Sequence, residues 1–121
     1  MASYIVNVMN ITFDNKKLQK IVNDDRMIVR EFGRIRAEKF KARLEQLMFA
    51  QTLEDVRSLP GNYHELTGDR KGQWACDLDQ PYRLIFEPHE CPIPVNEHGQ
   101  YIWAEIKGVE IIEIVNYHKE K

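Results

Sequence analysis

Two runs of alternating residues, Gln73 to Leu78 and Tyr82 to Phe86, carry the clearest pattern in the chain. Trp74, Cys76 and Leu78 alternate with Ala75, Asp77 and Asp79; Tyr82, Leu84 and Phe86 alternate with Arg83 and Ile85. A period of two turns one row of each strand toward a core and leaves the other row, Arg83 included, for a polar face. The pair predicts an antiparallel hairpin closed by Asp79-Gln80-Pro81. Ahead of it, Thr67-Gly68-Asp69-Arg70-Lys71-Gly72 is a basic approach whose glycines permit the sharp turn that brings Arg70 and Lys71 over the sheet. An anionic partner is the expectation.

The flanks read by period as well. Ile11-Thr12-Phe13, like Tyr4-Ile5-Val6, is β-prone, and at least one of these should pair at a sheet edge. Asp14 is the expected cap of a first helix, Asn15 to Asn23, with Leu18, Ile21 and Val22 on one face. Asp24 or Asp25 is expected to cap a second helix running to about Ala50, with an apolar stripe of Val29, Gly33, Ala37, Phe40, Leu44, Leu47 and Met48 that packs on the sheet. Thr52-Leu53-Glu54-Asp55 resembles a capping box for a short third helix ending at Leu59-Pro60. Glu87 to Gln100 is a polar, proline-bearing loop. Tyr101 to Ile106 and Val109 to Val115 read as strands joined by Lys107-Gly108; the last has apolar residues in both rows and is therefore expected at the centre of the sheet.

Composition narrows the class. The 121 residues suit one domain, and 43% apolar with 30% charged residues is the balance of a globular protein. No apolar run reaches the roughly 20 residues that span a bilayer, and the start lacks the form of a signal peptide, so a cytoplasmic protein is expected. Cys76 and Cys91 form no metal-spaced pair, and a disulfide is not expected in a reducing compartment. His89, Cys91 and His98 share the polar loop; zinc there is the weaker reading and an irregular solvated loop the stronger.

The net charge of −2 argues against indiscriminate nucleic-acid binding. Residues 1–60 carry 11 Lys and Arg against 8 Asp and Glu, whereas residues 61–121 carry 6 against 11, so any anion site must be local. Arg36, Lys39 and Arg43 lie at helical spacing along one border of the long stripe. They form either a solvated edge with stems over the core or a basic wall beside a phosphate path.

His64-x-Leu66-x-Gly68-Asp69-Arg70-x-Gly72-x-Trp74, then Tyr82-Arg83-Leu84-Ile85-Phe86, then a last strand ending in Tyr117-His118, resembles the pattern of HigB-type killer toxins of the RelE/ParE superfamily. The helical half is similar too, with Asn15-Lys16-Lys17-Leu18 opening the first helix and a charged Phe32-Gly33 helix after it; the likeness runs from about Ile11 onward. The resemblance implies an α+β fold with N-terminal helices packed on one face of a mainly antiparallel twisted sheet. It further implies a bacterial type II toxin that cleaves mRNA in the ribosomal decoding site without a metal or other cofactor. Its implied partners are a cognate HigA-like helix-turn-helix antitoxin, the ribosome and mRNA, and operator DNA only through the antitoxin, with no membrane role. This chain departs from the pattern in having Asn116 where the family often has Asp before Tyr-His, in being acidic, and in placing Asp79-Gln80-Pro81 where some members have a polar Asn.

Metal-free RNA cleavage needs a deprotonated ribose 2′-hydroxyl, a stabilised phosphorane and a protonated 5′-oxygen. On the resemblance, His118, with an ordinary pKa of about 6.5, exchanges the protons. Arg83 and Arg70 hold the phosphate in a forked geometry, and Tyr117 stacks on a base or assists the leaving group. Lys71, Arg36, Lys39 and Arg43 are the expected RNA contacts. Each of Arg70 and Arg83 has a competing structural reading as an ion-pair partner of Asp69, Asp77 or Asp79, and His64 is read as a structural hydrogen-bonder outside the site. Two other functions stay open: a ParE-like inhibitor of DNA gyrase, against which the Tyr117-His118 ending weighs, and a weakened toxin acting as an antitoxin-binding module. Whether Arg83 and His118 meet depends on the relative direction of their strands.

Overall fold

The alternating rows of the hairpin organise the whole architecture. The computed structural model describes residues 9–117; Tyr4-Ile5-Val6 and His118 lie outside the described residues. Strands β1 (Asn10–Phe13), β2 (His64–Glu65), β3 (Trp74–Asp77), β4 (Tyr82–Pro88) and β5 (Gly108–Asn116) form one sheet in the order β1-β5-β4-β3-β2. Helices α1 (Lys16–Val22), α2 (Asp25–Phe32), α3 (Arg34–Phe49) and α4 (Leu53–Val56) complete an α+β fold. The β2–β3, β3–β4 and β4–β5 pairs are antiparallel and β1–β5 is parallel, so the sheet is mixed and mainly antiparallel. As expected, Ile11-Thr12-Phe13 sits at an edge and the last strand lies inside the sheet, flanked on both sides.

Trp74, Cys76, Leu84 and Phe86 are fully buried in one core with Phe40 and Leu47 of α3 and with Leu53 and Val56 of α4. Trp74 stacks on Phe86 with ring centres 6.4 Å apart, and Tyr63 meets Phe86 edge-on at 6.1 Å. Burying aromatic rings in this way supplies the largest apolar contribution to folding, so truncating one, as in Phe40→Ala, costs about 3–5 kcal/mol.

The helical half departs from the sequence expectation in two places. The first cap is Asn15, not Asp14: its side-chain oxygen accepts from the N–H of Lys17 at 2.8 Å and of Leu18 at 3.3 Å. The long helix is two helices. Asp24 caps α2 as expected, but Gly33 adopts φ 83° and ψ 162° and breaks the ladder before α3. Glycine is the residue for which that conformation carries no Cβ penalty. Val29 on α2 and Met48 near the end of α3 both lie off the expected buried stripe, 44% and 38% exposed. At Thr52, both the N–H and the hydroxyl donate to the Asp55 carboxylate, which fixes the start of α4 as the sequence suggested.

Tyr101 to Ile106 is not a strand. Tyr101 makes an isolated bridge to Val95, and residues 103–105 form a 3₁₀ turn in which the Ile106 N–H donates to the Trp103 carbonyl at 3.1 Å. Trp103 and Ile106 are buried while Ala104 and Glu105 are exposed, a spacing of three that overrides the β-propensity of the segment. Trp103 meets Trp74 edge-on at 5.4 Å, and the Ile106 carbonyl accepts from the Leu53 N–H, so the turn closes the core beneath α4.

Candidate functional site

The face of the sheet away from α3 is built from the second row of each strand. Leu66, Arg70, Ala75, Arg83, Ile85, Val115 and Tyr117 line a cavity of about 180 Å³ on it. Ala75 and Ile85 are opposite one another on β3 and β4, both buried, and form an apolar floor. The arginines stand around that floor.

Arg83 is the second residue of β4, where Asp77 is its partner on β3 and Val115 its partner on β5. Its Nε lies 3.6 Å from Asp77 Oδ1, and its guanidinium carbon lies 3.8 Å from the centre of the Tyr117 ring. Asp77 Oδ1 is buried and accepts no hydrogen bond, so Arg83 is held there by charge rather than by a directed bond. Arg70 ends a 3₁₀ turn over Gly68–Arg70. It donates from Nη1 to Gln73 Oε1 at 2.8 Å and from Nη2 to Glu113 Oε2 at 3.0 Å, tying the β2–β3 connection to β5.

Tyr117 reaches this rim because β5 runs antiparallel to β4, with Asn116 opposite Tyr82. Its N–H donates to the Pro81 carbonyl at 2.8 Å, which fastens the end of β5 to the hairpin turn. The strand direction left open by the sequence is therefore the one that carries the chain past Arg83. His64 makes the structural hydrogen bond expected of it. Yet His64 stands opposite Ala75 and so belongs to the same face, with Nδ1 2.7 Å from the Asn62 carbonyl oxygen. The signal that would have found it is the strand register, which a two-residue strand does not display in sequence.

Arg36, Lys39 and Arg43 do not join this group. Arg36 donates from Nε to Asp79 Oδ1 at 2.9 Å and from Nη2 to Asp79 Oδ2 at 3.2 Å, and its guanidinium carbon lies 3.4 Å from the Tyr82 ring centre. Arg43 donates from Nε to the Asp77 carbonyl at 2.7 Å. Both side chains clamp the hairpin from the helix side, Arg36 by bidentate pairing with a carboxylate and Arg43 through backbone carbonyls. Lys39 is exposed on α3. Lys71 is near the site in sequence but turns outward, its ammonium 5.6 Å from the Tyr101 ring centre.

The polar loop gathers no metal site. His89 bonds through Nε2 to the Thr12 hydroxyl and through its N–H to the Gly108 carbonyl, His98 lies beside Glu97 at 3.4 Å, and Cys91 is exposed. Among the described residues no group of three His, Cys, Asp or Glu side chains is placed to hold a metal, and no helix is long and apolar enough to cross a membrane.

A family model described as the RelE-like toxin of type II toxin-antitoxin system HigB matches residues 11–98. That span takes in α1 to α4, β1 to β4 and the start of the long loop. No curated protein sequence matches the chain.

Proposed function

The chain belongs to the HigB-like family of RelE-like type II toxins, and on that premise we propose that it is a ribosome-dependent mRNA endonuclease working from the open face of the sheet. As a member of a type II system it has a protein antitoxin as partner. The observation that carries the proposal is the convergence of Arg83, Arg70 and Tyr117 from three separate elements around one cavity.

In this reading the ribose 2′-oxygen attacks the adjacent phosphorus, the bond to the 5′-oxygen breaks, and the products are a 2′,3′-cyclic phosphate and a 5′-hydroxyl. Arg83 and Arg70 face the phosphorane, where guanidinium forks match the equatorial oxygens. Charge building on those oxygens competes with Asp77 and Glu113 for the two cations, so both pairs serve as resting positions. His118 follows Tyr117 directly and supplies the proton transfer, with His64 as a second imidazole on the same face. Lys71 and Lys39, both exposed, are left as contacts to the wider RNA path. The few uncommitted cations make tight binding to naked RNA weak, and the ribosome supplies the remaining positioning.

Purified protein added to ribosomes programmed with a defined mRNA tests this directly. Cleavage within the decoding site, with 5′-hydroxyl ends, is expected; equal rates on naked and ribosome-bound mRNA would refute the ribosome dependence. A second reading, an antitoxin-binding module without strong activity, is favoured by the same two ion pairs, which place a carboxylate beside each arginine. Antitoxin binding without growth arrest or cleavage is its signature.

A further inference from the structure

The long loop that follows β4 builds a second concavity at the β2 edge of the sheet. Lys71, Tyr101, Gln100, Asn96, Glu65 and Trp103 border a polar groove of about 520 Å³. Arg70 lines the open-face cavity and Lys71, the next residue, lines this groove; Glu65 stands opposite Trp74 and so borders the groove from the core side, around the β2 edge from the cavity. The loop is fitted closely to the turn. Gly72 is buried at φ +97°, and a Cβ there would come within 3.3 Å of Ile93 Cδ1 and 3.9 Å of the Tyr101 hydroxyl.

Tyr101 is fixed as a platform. Its ring meets Trp103 at 5.1 Å and 60°, and the Lys71 ammonium sits 5.6 Å from its centre. A held aromatic ring beside a cation is the arrangement on which an unpaired nucleobase stacks while its phosphate is neutralised. The groove also carries edge-reading groups. Gln100 is exposed, and Glu65 gives one carboxylate oxygen to Arg57 at 2.9 Å while the other oxygen takes no described hydrogen bond. A carboxylate accepts from an exocyclic amino group and repels a carbonyl oxygen, so it discriminates cytosine from uracil.

Resting on the endonuclease reading, the geometry points to a nucleobase subsite at Tyr101, Lys71 and Glu65. It takes a base of RNA that passes over the β2 edge from the phosphate gripped by Arg70 and Arg83, and prefers a base bearing an amino group. The test is calorimetric titration of the full chain with non-cleavable 2′-O-methyl tetranucleotides of cytidine and of uridine, equal in size and charge. The cytidine probe is expected to bind more tightly. Tyr101→Ala should weaken it by about 5- to 100-fold, the loss typical of one base–aromatic stack, while Tyr101→Phe keeps wild-type affinity. Glu65→Gln should bring the two probes to equal affinity without unfolding the protein. Absence of binding by the wild type, wild-type affinity in Tyr101→Ala, or an unchanged cytidine preference in Glu65→Gln would overturn the subsite. Because these probes are not cut, the subsite and the endonuclease reading fail separately: probe binding without any mRNA cleavage would refute the activity and leave the subsite standing.

Discussion

On the helix-covered face, Arg36 gives two N–H groups to Asp79 and lies flat on Tyr82; on the open face, Arg83 stands 3.6 Å from Asp77 and 3.8 Å from the Tyr117 ring centre. Each arginine has a carboxylate and an aromatic ring as neighbours. They differ in what is left over. The fork of Arg36 is used by its carboxylate, whereas the oxygen facing Arg83 lies beyond hydrogen-bond reach. Asp77 makes the contrast within one residue: its carbonyl accepts from Arg43 on the helix side, and its carboxylate faces Arg83 on the other. A guanidinium that already makes its best bonds stabilises a fold; one held mainly by charge can exchange its partner for a phosphate.

The sharpest way to break this comparison is to remove one arginine from each face. Arg83→Ala is expected to lower cleavage by ~10² to 10⁴-fold, the usual loss for a group that stabilises transition-state charge, in a protein that stays folded and loses less stability than Arg36→Ala. His118→Ala should fall in the same range through loss of proton transfer, and antitoxin binding should survive both changes. A folded His118→Ala protein cleaving at the parent rate would remove the proposed site.

Arg36→Ala should act on the opposite quantity. Leaving Asp79 without its bidentate partner is expected to cost about 1–3 kcal/mol of stability, read by chemical denaturation, while the folded protein cleaves within a few-fold of the parent. A large loss of cleavage without loss of stability would put Arg36 on the RNA path after all. The smallest effect concerns neighbours on one strand. Ala75 faces the open side and Cys76 the core, where burial pushes the Cys76 thiol up to about 12. Native protein should therefore react with a thiol reagent at exposed Cys91 and not at Cys76, with the second thiol appearing on unfolding.

The period-two rows of the hairpin predicted the burial of Trp74, Cys76, Leu84 and Phe86, because alternation is a property of the backbone itself, but not that Ala75 and Ile85 of the other row are buried too. The central position of β5 was legible for the same reason, from apolar residues in both of its rows. Helical spacing showed that Arg36, Lys39 and Arg43 lie together, but it does not say what stands opposite them; Asp79 and the Asp77 carbonyl belong to a hairpin more than thirty residues away in sequence. Gly33 fitted a helical stripe by position and gave no sign that its backbone would turn to positive φ. Trp103 and Ile106 belong to a strand by propensity and to a 3₁₀ turn by packing, and packing prevailed.

The parallel pairing of β1 with β5 joins Asn10 to Gly108 and brings the two ends of the described chain into one sheet. Contacts of such long sequence separation form late, after a large loop has been closed. Glu113, Val115 and Tyr117 all come from β5 or the residue after it, so a nascent chain still holding that strand in the exit tunnel has neither the link between β1 and β4 nor a complete cavity. Elongation at ~5 to 20 residues per second thus delays assembly of the cavity until the strand emerges.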